Sequence, residues 1–263
     1  MVRNTGKTPQ DDSHNKSRKL GYLVDSLSIL LLIISLVQVR FSILNIKILL
    51  IISAVILLIQ TVAIYYRNYY FDLGNKDRFN MFLDNSFGRK IIPCYNSDEY
   101  FDNKDIEAGF IKALANTHQN SFFTSNLAKL NKKSYYVFSF IVLFLFVYAV
   151  FINGLNDTTS LLLNFIVSGE IINKAIKYNS LYDKTNNIYE SCNRICSSYQ
   201  TNNQEKFFAD IFEIIISYEN IIYESKIELS QKIFLKNNLR LTLEWEKIKD
   251  DYKIYSKSRE IKE

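Results

Sequence analysis

Residues 134–156 read SYYVFSFIVLFLFVYAVFINGLN, without one charged side chain. A spanning helix needs about 20 predominantly apolar residues, so this stretch predicts one membrane crossing. It opens on Tyr135 and Tyr136, aromatic residues of the kind that collect where a span meets the lipid headgroups.

Three further stretches are read the same way. Residues 20–39 are apolar apart from Asp25, near the start. Residues 48–66, between Lys47 and Arg67, carry no charge and end on Tyr65-Tyr66. Residues 158–169 are uncharged but shorter, and Asn164, Ser168 and Glu170 make this segment more polar. Residues 40–46 join the first pair and 153–157 the second, both of hairpin length. The expected fold is therefore an all-α membrane protein of two transmembrane helical hairpins, 20–66 and 134–176. A basic tail (1–19) precedes them, a helical insert (67–133) separates them, and a helical C-terminal domain (177–263) follows.

Composition agrees. With 7 Gly and 2 Pro in 263 residues, turns are too sparse for an all-β chain. The stretch through Lys19 is too polar to open a signal peptide, so the first apolar segment is expected to remain as an anchor. Of the 32 Lys and Arg, 30 fall in the N-terminal tail, the insert and the chain from Lys174 onward. The bias of basic residues toward the cytoplasm places these parts and both termini inside the cell. The net charge of +5 is diluted by 27 acids, which favours the lipid bilayer over nucleic acid as partner.

Within the insert, residues 80–88 read as a short helix capped by Gly88, and Pro93 then breaks the chain. A helix is expected over 105–130. Tyr95, Asp98, Glu99, Tyr100, Phe101 and Asp102 form either a packed loop or a ligand pocket. In the tail, Leu181, Ile188, Cys192, Ile195 and Tyr199 fall on a helical seam, interrupted at 201–203. A second helix is expected over about 204–234, ended by Asn237-Asn238. A last, highly charged helix from about 239 is expected to fray. Residues 207–222 are apolar but hold Asp210, Glu213 and Glu219, acids too unfavourable inside lipid, so they predict an amphipathic helix.

No catalytic constellation is found, and neither metal nor cofactor is expected. His14 lies in a stretch read as loose, and His118 reads as a polar face residue. Cys94, Cys192 and Cys196 lack the partners of a zinc site and read as small apolar side chains. No glycine-rich phosphate loop occurs. The informative polar residues are in the fourth segment. Glu170 either sits at the inner interface, paired with Lys174 one turn on, or joins Asn164 and Ser168 in a stripe that lines a pore or joins subunits. Asp25 admits the same pair of readings.

Residues 227–252 hold the stretch most like a known family. Ser230-Gln231-Lys232-Ile233-Phe234 is similar to a Gln, Ile-aromatic element late in the tail of the SMODS-associating four-transmembrane effectors, and Trp245 and Tyr252 are similar to its following aromatic positions. The two-hairpin layout resembles that family throughout. The family tends to carry Arg shortly after the aromatic, where this chain has Lys236 and Asn237. The resemblance implies a bacterial inner-membrane protein that oligomerises and permeabilises the membrane in anti-phage defence. It also implies a cyclic nucleotide or a nucleotide-cyclase system as partner. Two other readings stay open: a membrane-anchored scaffold or signalling subunit, and a small channel or transporter component.

Overall fold

The structure, a computed structural model, describes residues 8–41, 45–93, 95–101, 103–156, 159, 162, 166, 170–198 and 204–256. Its elements are α1 (Asp11–Phe41), α2 (Ile46–Phe87), a 3-10 turn at Ser97–Glu99, α3 (Phe110–Asn153), α4 (Glu170–Ser198), α5 (Gln204–Ser225), α6 (Gln231–Asp251) and α7 (Lys253–Ser256). No strand occurs among the described residues.

The helices are longer than the sequence suggests. The 42 residues of α2 absorb the second apolar segment and the short helix expected at 80–88 into one rod. The 44 residues of α3 do the same for the helix expected over 105–130 and the third apolar segment. At about 1.5 Å per residue each rod exceeds about 60 Å, roughly twice a bilayer's hydrocarbon core. The physical reason is a lack of stops. Residues 110–153 hold no Gly or Pro, and 46–87 hold only Gly74. Only the side-chain polarity changes along each rod. The rods end where backbone geometry demands it: α2 at Gly88 (φ 64°) and α3 at Gly154 (φ 69°), left-handed positions that favour glycine.

Three helices are long and apolar enough to cross a membrane: Asp11–Gln38, Ile46–Phe87 and Phe110–Asn153. Only 28%, 22% and 17% of their respective most apolar windows are buried. On α3, Phe140, Phe144, Val147 and Phe151 point outward. Exposed apolar surface on that scale marks contact with lipid or protein.

α1 packs along α2, α3 packs along α4, and α1 also touches α3 and α4. Inside the apolar region, Gln60 of α2 donates to Ser28 Oγ of α1 at 2.8 Å and to Val24 O at 3.2 Å. Such bonds join helices where water cannot compete. Most of the fourth apolar segment falls outside the described residues. Its Thr159, Leu162 and Ile166 are helical and buried, and Leu162 and Ile166 pack with Leu32 of α1 and with Val142 and Ala149 of α3.

Beyond the apolar region the same rods, with α5, α6 and α7, form a helical head. The first half of α3 runs through its centre, and residues 112–125 are buried throughout. Around it lie Phe82 and Phe101, Ile211 of α5, and Leu241 and Trp245 of α6. α5 is amphipathic, as expected: Phe207, Ile211, Ile215 and Tyr218 face this core while Phe212 and Ile216 face out.

The tail differs from expectation in two places. The helix expected over 204–234 ends at Ser225, and Lys226 takes a left-handed φ of 50°. Ser230 then caps a new helix, its Oγ accepting from Ile233 N at 3.4 Å. The apolar spacing runs through this break, which hid it. Asn237 and Asn238 lie inside α6, and Asn237 bonds back to Ile233 O at 2.8 Å. α6 is helical to Asp251, its buried face holding Leu241 and Trp245.

Candidate functional site

α1 begins nine residues before the expected start of the first crossing, so residues read as a loose tail become part of the head. The ring of His14 packs edge-on to Phe71, and its Nδ1 lies 2.8 Å from Glu228 Oε1. It fits because position 74 is glycine: a Cβ there would stand 2.8 Å from His14 Nε2. Glycine inside a helix destabilises it by about 1 kcal/mol against alanine, and here it permits the close approach of α1.

A cavity of about 360 Å³ lies beside this contact, walled by residues of α1 to α6. We call it the head cavity. Arg78 reaches the Glu219 carboxylate there, with Nη1 donating to Oε1 at 3.2 Å. Tyr218 beneath it shares a hydrogen bond with Thr124 at 3.0 Å. Burial raises the Tyr218 phenol to about 12, the nearby Arg78 opposing the rise. Thr8 Oγ1, Gln10 Oε1 and Asn75 Nδ2 are buried at the cavity wall without a hydrogen-bond partner. Buried polar atoms are ordinarily satisfied, so these three are suited to a ligand or to water.

A second cavity, of about 300 Å³, opens where the apolar segments meet the head. In this junction cavity stand Asp25, Arg67, Tyr135 and Lys174, one from each of α1 to α4. Lys174 pairs with Asp25. Asn164 and Ser168 lie outside the described residues. Glu170 opens α4, and its side chain lies outside them as well.

The tail positions disperse over these features. Gln231 Oε1 accepts from Arg18 Nη1 at 2.6 Å and, with Phe234, lines the head cavity. Ile233 lines the junction cavity. Trp245 is fully buried, its Nε1 donating to Asn103 Oδ1 at 3.2 Å. Asn103 continues the chain to Asn116 (2.9 Å) and Gln119 (3.0 Å), and Asn116 bonds Asn85 at 2.8 Å. In the insert, Phe101 is buried against Phe82 and Asp98 accepts from Asn85 at 2.6 Å. Tyr100 reaches the head cavity, alone among the described side chains of this stretch.

His118 is not the polar face residue expected; it is fully buried, because every face of α3 is covered there. Its Nε2 lies 2.9 Å from Asn193 Oδ1, which also accepts from Tyr252 OH at 2.9 Å. An acceptor at Nε2 puts the proton on that nitrogen and leaves Nδ1 to accept from Tyr255 OH at 3.1 Å. The Cys196 thiol donates in turn to Tyr255 at 3.1 Å. Burial lowers His118 to about 4, against the opposing bond to Asn193, and raises Cys196 to about 12. Both are held neutral, the reverse of what a thiolate nucleophile requires. No grouping of three or more His, Cys, Asp or Glu suited to a metal occurs among the described residues.

Sequence reading missed His14, Arg18, Asn75 and Arg78, which converge only in the folded head. The one available signal was Gly74, a lone glycine in a helical pattern, where close packing is the usual reason. No protein family, curated protein or solved structure matches this chain.

Proposed function

We propose that this protein is a membrane-acting effector that oligomerises to permeabilise the bacterial inner membrane in cyclic-oligonucleotide-linked anti-phage defence, with the head cavity as its sensing site. One observation carries the reading. α1 and α2 run unbroken from the wall of the head cavity into the apolar region. A ligand that moves His14 or Asn75 therefore moves the first two crossings with no intervening hinge. The exposed apolar faces of α2 and α3 offer surface for lipid and for neighbouring copies. The distribution of Lys and Arg supports a head and both termini in the cytoplasm. Four crossings are too few to enclose a path alone, so a pore on this reading is built from several copies, with Asn164, Ser168 and Glu170 toward its centre.

A second reading, a membrane-anchored scaffold, is favoured by Leu235, Leu239 and Leu243. They form a stripe along α6, each more than half exposed, of the kind that receives a partner helix. The experiment that separates the two is dye release from liposomes holding the purified chain, with and without cyclic dinucleotides and trinucleotides. Release only on addition supports the effector. Intact liposomes under every nucleotide, together with unchanged membrane potential in cells challenged by phage, would exclude it.

A further inference from the structure

We infer that the junction cavity binds a phosphate-bearing anion, in the form its position favours: the headgroup of an anionic phospholipid. This rests on the membrane part of the reading above and is independent of pore formation. The cavity lies where the apolar segments of α1, α2 and α3 pass into the head, which on the membrane reading is the level of the lipid headgroups. Its walls carry five basic side chains, Arg18, Arg67, Lys174, Lys177 and Lys226, against two acids, Asp25 and Glu228. Both acids are engaged, Asp25 by Lys174 and Glu228 by His14. Lys226 turns to Asp72 outside the cavity.

Of the other cations, Arg18 and Lys177 have no acid partner among the described residues. Arg18 bonds only the neutral Asn15 and Gln231 among the described residues, and its Nε is buried without an acceptor. Ser17, fully buried on the same wall, has a hydroxyl without a partner. Arg67, which bonds Asn68 at 3.3 Å, is 6% exposed and adds positive charge in low dielectric, where an anion is held strongly. A guanidinium Nε–H, a hydroxyl and a lysine ammonium around one space are the donors a phosphate takes. Tyr22, Tyr135 and Tyr178 line the cavity as well, and aromatic rings are at home at headgroup depth.

The full chain purified in zwitterionic detergent tests this by native mass spectrometry and thermal unfolding. The probes are phosphatidylglycerol, phosphatidylcholine and inorganic phosphate. Retained phosphatidylglycerol with a raised Tm, and no such effect from phosphatidylcholine, is expected. Arg18→Gln with Lys177→Gln should weaken phosphatidylglycerol binding about tenfold, the scale of a lost charge-assisted contact. Lys177→Gln alone, at a side chain with no described bonding partner, should weaken it about threefold without disturbing the fold. Stabilisation by inorganic phosphate that phosphatidylglycerol does not exceed keeps the anion site and overturns the lipid as its source. Equal binding of both lipids with no response to phosphate overturns the site, as does unchanged binding by the variants. Carbonate extraction of the chain from membranes would refute the membrane reading separately, and the phosphate measurement would still decide the site.

Discussion

Lys174 of α4 forms an ion pair with Asp25 of α1, a residue 149 positions earlier in the chain. Both side chains are largely shielded, at 13% and 25% exposure, and both sit where the apolar segments meet the head. The pair therefore fixes α4 against α1, and so the second helical pair against the first, at the level of the junction cavity. Spacing along one helix also offers Glu170 as a partner of Lys174, and the Glu170 side chain lies outside the described residues.

Removing one member leaves the other charge shielded from water and uncompensated. Asp25→Asn and Lys174→Gln should each lower stability by about 1–3 kcal/mol, less than for a fully buried pair because water reaches both groups. Thermal unfolding in detergent measures this. The exchange Asp25→Lys with Lys174→Asp should recover more than half of the loss. Single variants that unfold like the natural chain would show that the pair does not hold the bundle.

Gly74 gives a prediction with an inverted sign. Alanine for glycine in a helix ordinarily stabilises by about 1 kcal/mol. Here the new Cβ would stand 2.8 Å from His14 Nε2, well inside contact distance. The ring must leave, and with it the bond to Glu228. Gly74→Ala should therefore destabilise by about 1–3 kcal/mol, the range for overpacking, and free the first turns of α1 to proteolysis. A stabilised Gly74→Ala protein would mean that His14 does not occupy this place.

How much of this was legible depends on the kind of signal. The apolar half of α3 was legible because 134–156 carries no charge, and Gly88 because a helix end favours a left-handed residue. The continuity of α2 and α3 was hidden, since a fall in hydrophobicity resembles the end of an element although no backbone group demands one. His118 was misread because helical spacing shows one face of a helix, whereas the head covers every face of α3. The head cavity had no linear trace at all: His14 and Glu228 are 214 residues apart and meet only in the assembled fold.

His118 makes stability depend on pH. Its value falls from the ordinary 6.5 to about 4 in the fold because burial penalises the charged ring. Between these values the unfolded chain binds a proton that the folded chain does not, so stability rises with pH across this window. The contribution is fully present above about 6.5 and is lost as pH falls through about 4, up to roughly 3 kcal/mol. Protonation would also take Nδ1 from Tyr255 as an acceptor. The other groups facing the ring are Asn193, Cys196, Tyr189, Tyr252 and Trp245, none of them an acid that would stabilise the cation. Tm measured from pH 4 to 8 should therefore slope less for His118→Gln. Parallel curves would refute the assignment.

Trp245 tests whether α6 is an integral part of the head or a loosely attached tail. Its side chain is fully buried and its Nε1 supplies a donor to Asn103 Oδ1. Trp245→Phe keeps the ring but removes that donor and leaves a small void. The two effects together should lower stability by about 2–4 kcal/mol. For a head of this size that is a fall in Tm of roughly 5–10 °C. The loss should appear in the head alone, because Asn103 passes the bond to Asn116 and Gln119 on the head half of α3. Limited proteolysis should cut first at 226–230, the segment that joins α5 to α6, while the apolar helices stay in the membrane fraction. Protection of that segment in Trp245→Phe at the natural chain's level would show that α6 is held by something other than this contact.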